Sequence, residues 1–361
     1  MRIAVYHNLE KGGALLQANK IIKSLSTKHY IKIFSTKKNI TIKDVKTEVY
    51  KINSPKNIFE HVTQAIYELK RIDKEISKKI SNENFDLVIV FPCIIRQSPH
   101  ILRYTNKNIY FFAEPKREFY ENTNFSFSLK KLLTLIIRYP IKISDKISCK
   151  AAKTIICNSY YSKNVLRKIY KKKGFVIYPG QVNLKPKKIY SQNNKKIISI
   201  GQISKIKGHD YSIKQLEGSK TALNIIGREV EDSPKLYHLA QLKNVNLNVL
   251  KIEDNKEKIK RLRDHSIFLA NNKREPFGIT TLEAIDQNLM VLGKNEAGTS
   301  EVVRNGIDGF LYPNKINMAR TVLENFLKRK HFTKISCTSI SWDNEAEKLL
   351  SIYHHLKNDK Y

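Results

Sequence analysis

Residues 275–284 read Glu-Pro-Phe-Gly-Ile-Thr-Thr-Leu-Glu-Ala and follow a short apolar run. The apolar run predicts a buried β-strand, and the residues from Ile279 onward predict a helix. Gly278 precedes that helix, where a residue without a side chain lets the backbone come close to a ligand. The first N–H groups of a helix have no partner within it, so they favour phosphate or hydroxyl oxygens. With carboxylates at Glu275 and Glu283 on either side, the segment predicts a binding site.

On both sides of this segment, short apolar runs alternate with helical periodicity. Strands are predicted at 2–6, 31–34, 87–91, 109–112, 154–157 and 175–178, and a second set at 196–200, 222–226, 245–250, 267–270 and 289–292. Helices are predicted between many of them, among others at 14–26, 58–79 and 160–171, and a last one at 342–356. Alternating strands and helices predict parallel sheets with crossover helices, and two such sets predict two doubly wound α/β domains. Prolines, glycines and asparagines between 178 and 195 predict the boundary.

Charge is distributed unevenly along the 361 residues. Residues 1–200 hold 40 basic and 13 acidic side chains, whereas 201–361 hold 26 and 20. This asymmetry predicts an anionic partner for the first half, such as a membrane surface, a phosphorylated lipid or a nucleic acid. Compositional bias toward Lys, Ile and Asn is the other explanation. A nucleic-acid-binding protein is the alternative of a different class, but no helix-turn-helix, zinc-finger or ribonucleoprotein motif supports it.

Cysteine usage and hydropathy indicate the compartment. The four cysteines form no Cys-x-x-Cys pair and have no histidine cluster beside them. They predict neither a disulfide framework nor a zinc site, and a reducing cytosol is the expected environment. The first residues read as a strand, not a signal peptide, and no uncharged apolar stretch approaches the roughly 18 residues of a membrane span.

A basic, apolar helix is predicted near residue 130. Five apolar side chains fall on one face of it: Leu129, Leu132, Leu133, Ile136 and Ile137. Three basic side chains flank them: Lys130, Lys131 and Arg138. Two interpretations are open, because such a stripe either packs on the sheet or lies in a membrane interface.

Residues 275–284 resemble the Glu-(seven residues)-Glu motif of glycosyltransferase family 4, a GT-B family that uses nucleotide sugars. Other segments resemble the same family in the same order along the chain: 110–117, 158–162, 176–180, 200–210, 298–303 and 305–311. The resemblance implies a GT-B architecture with two Rossmann-like domains. An acceptor-binding domain is expected at 1–185, with residues 342–361 packing back on it, and a donor-binding domain at 190–341. The implied reaction moves a hexose, with retention of configuration, to a glycan or lipid-linked acceptor.

The resemblance also implies roles for individual residues. Lys207 would neutralise the donor diphosphate, Glu275 would bind hydroxyls of the transferred sugar, and Glu283 would bind the ribose. The remaining implied donor-binding residues are Gly12, Gly13, Gln202, Lys205, Gly278, Ile279 and Thr280, and Glu114 is expected in the cleft of the first domain. A lysine and a helix N-terminus can stabilise a leaving diphosphate without a metal. We therefore expect no metal or cofactor beyond the nucleotide sugar.

Two positions depart from the family pattern. Gln202 stands where the family has a diphosphate-binding arginine, and Ala113 stands where it has an active-site histidine. Lys205, three residues after Gln202, is a candidate to supply the missing charge. A homologue that binds the donor with weak or no turnover is therefore the alternative function. An anionic membrane surface is the expected partner of the first half, on the cytoplasmic face.

Overall fold

The computed structural model describes residues 1–10, 12–37, 39–120, 129–180, 195–230, 233–252, 254–328 and 342–358, with the backbone alone at 129–131, 342 and 356–358. The chain divides into two compact units. Unit 1 comprises Met1–Gly180 and Trp342–Tyr361, and unit 2 comprises Gln181–Ser341. The predicted division between 185 and 190 falls within 181–194, which lies outside the described residues.

Unit 1 contains a parallel seven-stranded sheet. Its strands are β1 (Arg2–Asn8), β2 (Tyr30–Ser35), β3 (Lys46–Val49), β4 (Leu87–Cys93), β5 (Asn108–Phe112), β6 (Thr154–Cys157) and β7 (Phe175–Val176). They lie in the order β3-β2-β1-β4-β5-β6-β7. Ile3 and Val5 pack in one hydrophobic cluster, and Ala4 and Tyr6 pack in another. Helices therefore cover both faces of this sheet, as parallel strands with continuous apolar runs require.

The helices of unit 1 connect these strands. They are α1 (Gly13–Leu25), α2 (Ile58–Thr63), α3 (Leu69–Asn82), α4 (Arg117–Tyr120), α5 (Leu129–Ala151) and α6 (Tyr160–Tyr170). The helical stretch predicted at 58–79 is confirmed, because helical residues run without a break from 58 to 82. A π-helical turn at Gln64–Glu68, which the sequence pattern did not predict, joins α2 to α3. Within this turn, Gln64 Nε2 donates to the Asn53 carbonyl at 2.5 Å.

The apolar stripe predicted on α5 does not pack on the sheet over its described length. Leu132, Leu133 and Ile136 are exposed, whereas Ile137 is half-buried. The interpretation that this stripe covers the sheet is therefore wrong for three of its members. No helix among the described residues is long and apolar enough to cross a membrane.

Unit 2 contains a parallel six-stranded sheet in the order β10-β9-β8-β11-β12-β13. Its strands are β8 (Ile197–Ile200), β9 (Leu223–Ile226), β10 (Leu247–Leu250), β11 (Ile267–Ala270), β12 (Met290–Lys294) and β13 (Gly309–Tyr312). Its helices are α7 (His209–Leu216), α8 (Ser233–Leu242), α9 (Asn255–Arg263), α10 (Ile279–Asp286), α11 (Ala297–Val302) and α12 (Ile316–Lys328). The prediction of two doubly wound α/β domains is confirmed.

The last helix, α13 (Trp342–Asn358), belongs to unit 1 and packs on α1. Glu345 lies buried at this contact, where one carboxylate oxygen accepts from Gln17 Nε2 at 2.6 Å and the other from the Gly180 amide at 3.0 Å. Burial raises the pKa of Glu345 to about 8. The predicted helix N-cap, Ser341, lies outside the described residues.

Candidate functional site

The two predicted catalytic side chains meet in unit 2, in the loops that follow β8 and β11. Lys207 Nζ donates to Glu275 Oε2 over 3.1 Å. Asn272 Nδ2 donates to the same oxygen at 2.6 Å. The Lys207 and Glu275 side chains are 32% and 18% exposed, so this ion pair remains accessible from solvent. Because β8 and β11 are parallel neighbours, their carboxyl ends bring residues 68 positions apart to one edge of the sheet.

Close backbone packing holds these loops together. Gly208 has a φ of +70°, and a Cβ at this position would lie 1.8 Å from the Asn271 carbonyl oxygen. A Cβ at Gly227, after β9, would lie 1.9 Å from the Gly201 carbonyl oxygen. Only glycine allows contacts this close, so the loops after β8, β9 and β11 meet backbone to backbone. Gly208 follows Lys207 directly, so this packing brings the backbone beside Lys207 against the loop that carries Glu275.

The start of α10 forms the next part of the site. Gly278 is its N-cap residue, with a φ of +106°, and it has no side chain that could accept from the first turn. The first backbone bond of the helix runs from the Leu282 amide to the Gly278 carbonyl at 3.1 Å. The amides of Ile279 and Thr280 precede that bond, and both residues are half-buried. These predicted donor-binding residues therefore present N–H groups and the positive end of a helix dipole.

Glu283 lies on α10, one turn after the helix start, and has a cation beside it. Lys258 Nζ of α9 donates to Glu283 Oε1 at 2.6 Å, and both side chains are largely buried. Within the described chain, Glu283 Oε2 is buried without a hydrogen-bond partner. A buried carboxylate oxygen with spare accepting capacity fits a hydroxyl-bearing ligand. Lys258 was not predictable from the sequence, because only the fold brings α9 beside α10.

The position of the first departure, Gln202, has an arginine beside it. With the Gln202 amide oriented so that its oxygen faces Arg228, that oxygen accepts from Nη2 at 2.7 Å and from Nε at 3.1 Å. Arg228 follows β9, and both side chains are exposed. Lys205 is also exposed, and its ammonium group contacts no carboxylate in the described part of the chain. Arg228 and Lys205 are therefore two cations near position 202, where the resemblance implies a single arginine.

Two buried histidines, one near the end of β1 and one after β8, are neutral at pH 7. His209 begins α7 and His7 lies near the end of β1, and both are buried. Burial lowers the pKa of each to about 4, so neither carries a positive charge at neutral pH. Within the described residues, no three His, Cys, Asp or Glu side chains are grouped to hold a metal ion. The independence from metals stays a prediction.

The predicted residues of unit 1 follow its first and fifth strands. Gly12 and Gly13 lie at the start of α1, and a Cβ at Gly12 would meet no atom within 4 Å. Glu114, after β5, pairs with Arg117 at 2.5 Å. The Ala113 carbonyl accepts from Ser162 Oγ at 2.5 Å, so α6 fixes the loop where the second departure occurs. At this position the chain offers a half-buried methyl group instead of an imidazole.

A known protein family matches unit 2, which contains the ion pair of Lys207 and Glu275. Residues 181–335 match the family model of glycosyl transferases group 1. No curated protein sequence matches the chain. The matching segment contains Lys207, Glu275 and Glu283, whereas Gly12 and Gly13 lie outside it.

Solved structures resemble the chain over almost all of its length. Sucrose-phosphate synthase from Thermosynechococcus elongatus has a TM-score of 0.77 at 14% identity, with 99% of each chain covered. WaaG, a glycosyltransferase involved in lipopolysaccharide biosynthesis, has a TM-score of 0.70 at 16% identity, covering 97% of this chain and 95% of its own. HepE from Anabaena, in complex with UDP and glucose, has a TM-score of 0.64 at 15% identity over 99% of each chain. The GT-B fold is therefore confirmed.

Proposed function

We propose that this protein transfers a hexose from a nucleoside-diphosphate sugar to an acceptor hydroxyl, with retention of configuration. The observation that carries the proposal is the convergence of Lys207, Glu275 and the start of α10 at one edge of the unit 2 sheet. The family model over residues 181–335 supports it, as does the fold shared with a structure that holds UDP and glucose. Retention rests on the resemblance of residues 275–284 alone.

The proposed roles follow from the charge that develops during transfer. When the bond between the anomeric carbon and the diphosphate breaks, its electron pair stays on the leaving oxygen. Lys207 and the amides of Ile279 and Thr280 supply positive charge to that oxygen, and such preorganised groups are the main source of stabilisation in this kind of site. Glu275 accepts hydrogen bonds from the sugar, while Glu283 Oε2 accepts from the ribose. The acceptor oxygen bonds to the anomeric carbon, and its proton leaves with the diphosphate.

Arg228 supplies the cation that Gln202 lacks. In the described arrangement its guanidinium is held by the Gln202 amide, which is neutral and competes weakly for it. A diphosphate offers charged oxygens to the same donors, and charge-assisted hydrogen bonds are about twice as strong as neutral ones. We infer that Arg228 turns from Gln202 to the diphosphate when the donor binds, with Lys205 adding further positive charge.

The acceptor is proposed to be a lipid-linked sugar or a growing surface glycan, reached from the cytoplasmic side of an anionic membrane. The excess of basic side chains in residues 1–200 supports this partner. We propose no metal, no other cofactor and no nucleic-acid partner. Donor binding without turnover is the second candidate, and the half-buried methyl group of Ala113 favours it, because a methyl group cannot transfer a proton or donate a hydrogen bond.

A donor panel separates these functions. Uridine, guanosine and adenosine diphosphate hexoses are each titrated into the protein in a calorimeter, and sugar release and transfer are then followed over hours. Binding with turnover supports transfer, and binding without turnover supports the second candidate. If no nucleotide sugar binds and none is consumed, both functions are refuted. Glu275→Gln is the matched variant, since it keeps the size of the side chain and removes the charge that accepts from the sugar.

A further inference from the structure

A continuous apolar stripe runs along the outer side of α5. Its members, which we call the outer stripe, are between 46% and 59% exposed: Leu132, Leu133, Ile136, Tyr139, Ile143 and Ile147. Apart from the adjacent Leu132 and Leu133, they are three or four residues apart, which places them on one side of the helix. At 1.5 Å per residue the outer stripe is about 22 Å long. Single exposed apolar side chains are common, but a contiguous patch of this length marks an interaction surface.

The opposite side of α5 faces the interior of unit 1, where buried polar side chains lie beside the apolar Ile141 and Cys149. Asp145 accepts from the Ser98 amide at 2.8 Å and from the Tyr170 hydroxyl at 2.6 Å. Ser148 Oγ accepts from Arg103 Nε at 2.9 Å. These buried bonds fix the rotation of the helix, because turning it would leave their partners unpaired. The outer stripe therefore cannot reach the core of unit 1 by rotation of α5.

Positive charge lies beside the outer stripe. Lys146 and Lys150 are exposed, and neither contacts a carboxylate in the described part of the chain. The Lys142 ammonium lies 5.9 Å from the centre of the Tyr139 ring. Between residues 129 and 151 the sequence has six basic side chains and one acidic one, and that one, Asp145, is buried. The exposed surface of α5 is therefore apolar and cationic, with no negative charge of its own.

We propose that the outer stripe docks this protein on an anionic lipid bilayer, with α5 lying parallel to the membrane plane. Apolar side chains enter the boundary between headgroups and acyl chains, the lysines contact lipid phosphates, and Tyr139 sits at the interface. A second copy of the chain fits this surface less well, because a symmetric contact would bring the unpaired lysines of both copies together. The inference adds to the proposed function the surface of the chain that contacts the membrane.

Vesicle flotation with the full-length chain tests the proposal. The protein is mixed with vesicles of phosphatidylcholine alone or of phosphatidylcholine and phosphatidylglycerol. We expect binding to the anionic vesicles that falls at high salt, and little binding to the neutral ones. The double variant Ile136→Glu/Ile143→Glu should reduce this binding at least tenfold, and Lys146→Gln/Lys150→Gln should reduce it severalfold. Leu242→Glu/Met318→Glu, at exposed apolar positions of unit 2, should leave it unchanged.

Each result decides one way. Equal binding of the wild type and Ile136→Glu/Ile143→Glu, or no binding by the wild type, overturns the proposal. A wild-type dimer in sedimentation velocity that the same double variant dissolves also overturns it in favour of a contact between copies. Because the substituted side chains are already exposed, the variant should keep its melting temperature. Calorimetry with soluble nucleotide sugars distinguishes a failure of this proposal from a failure of the proposed function. In that measurement Ile136→Glu/Ile143→Glu should bind the donor as the wild type does.

Discussion

Replacing Glu345 by glutamine tests whether the contact of α13 with α1 depends on a protonated carboxyl group. Glu345 is fully buried, and its two oxygens accept from Gln17 and from the Gly180 amide. Neither donor is charged, so the ionised carboxylate gains little to offset its lost hydration. Glutamine has nearly the same shape and carries no charge at any pH. It can keep both contacts, because the Gln17 amide can turn its oxygen toward the new NH₂ group.

The magnitude follows from the pKa of this group. Burial raises the pKa of Glu345 from 4.5 to about 8, so the folded chain holds the proton more tightly than the unfolded chain. The stabilisation from this group is complete below about pH 4.5 and is lost as the pH rises to about 8. Each pKa unit corresponds to about 1.36 kcal/mol, and the full shift to about 5 kcal/mol. Between about pH 5 and pH 9 we expect a loss of about 4 kcal/mol in the wild type.

This loss can be measured by urea unfolding at a series of pH values, followed by the fluorescence of Trp342. Trp342 is the single tryptophan of the chain and the first residue of α13. The free energy of unfolding of Glu345→Gln should exceed that of the wild type by an amount that grows with pH across this range. Glu347→Gln, at an exposed position of the same helix, is the control and should follow the wild type. A constant difference between wild type and Glu345→Gln at every pH would refute the reasoning, because Glu345 would then titrate alike in both states.

Three further predictions concern the donor site and are measured by calorimetry and transfer assays. Lys207→Met removes the ammonium group beside Glu275, and we expect donor affinity to fall by roughly 10- to 100-fold, whereas the exposed Lys214→Met should change nothing. Arg228→Gln should weaken donor binding roughly tenfold at low salt, and adding Gln202→Arg to that variant should restore it. If the second substitution does not restore binding, the two positions do not supply the same positive charge to the donor. Gly12→Ala should reduce transfer without lowering the melting temperature, because the added Cβ meets no protein atom within 4 Å. A large drop in melting temperature would instead assign Gly12 to the fold.

Strands buried on both faces were predictable because their apolar runs are continuous. The runs at 154–157 and 267–270 match β6 and β11 at both ends. β3 was missed because it is an edge strand with the polar sequence Lys-Thr-Glu-Val, whose members are exposed or half-buried. β13 was missed because it is short and begins with Gly309, which lies where a Cβ would be 2.0 Å from the Val291 carbonyl oxygen.

The orientation of α5 was not predictable from periodicity. A periodic apolar stripe shows that a helix has two different faces, but not which of them meets the core. Here the buried face includes Asp145 and Ser148, because Ser98, Arg103 and Tyr170 from elsewhere in unit 1 supply their hydrogen-bond partners. The contact between Arg228 and Gln202 was not predictable from the sequence either, because it joins the loops that follow two different strands, β8 and β9.

The glycine contacts beneath the proposed donor site limit which substitutions this protein can accept. Where Gly208 meets Asn271 and Gly227 meets Gly201, main chain touches main chain, and even a methyl group would force the loops apart. The backbone of these loops is therefore fixed in shape, and a change of sugar or nucleotide preference has to come from the exposed side chains around it. A mutagenesis library for new donors would hold these glycines constant and vary exposed positions such as Gln202, Lys205 and Arg228.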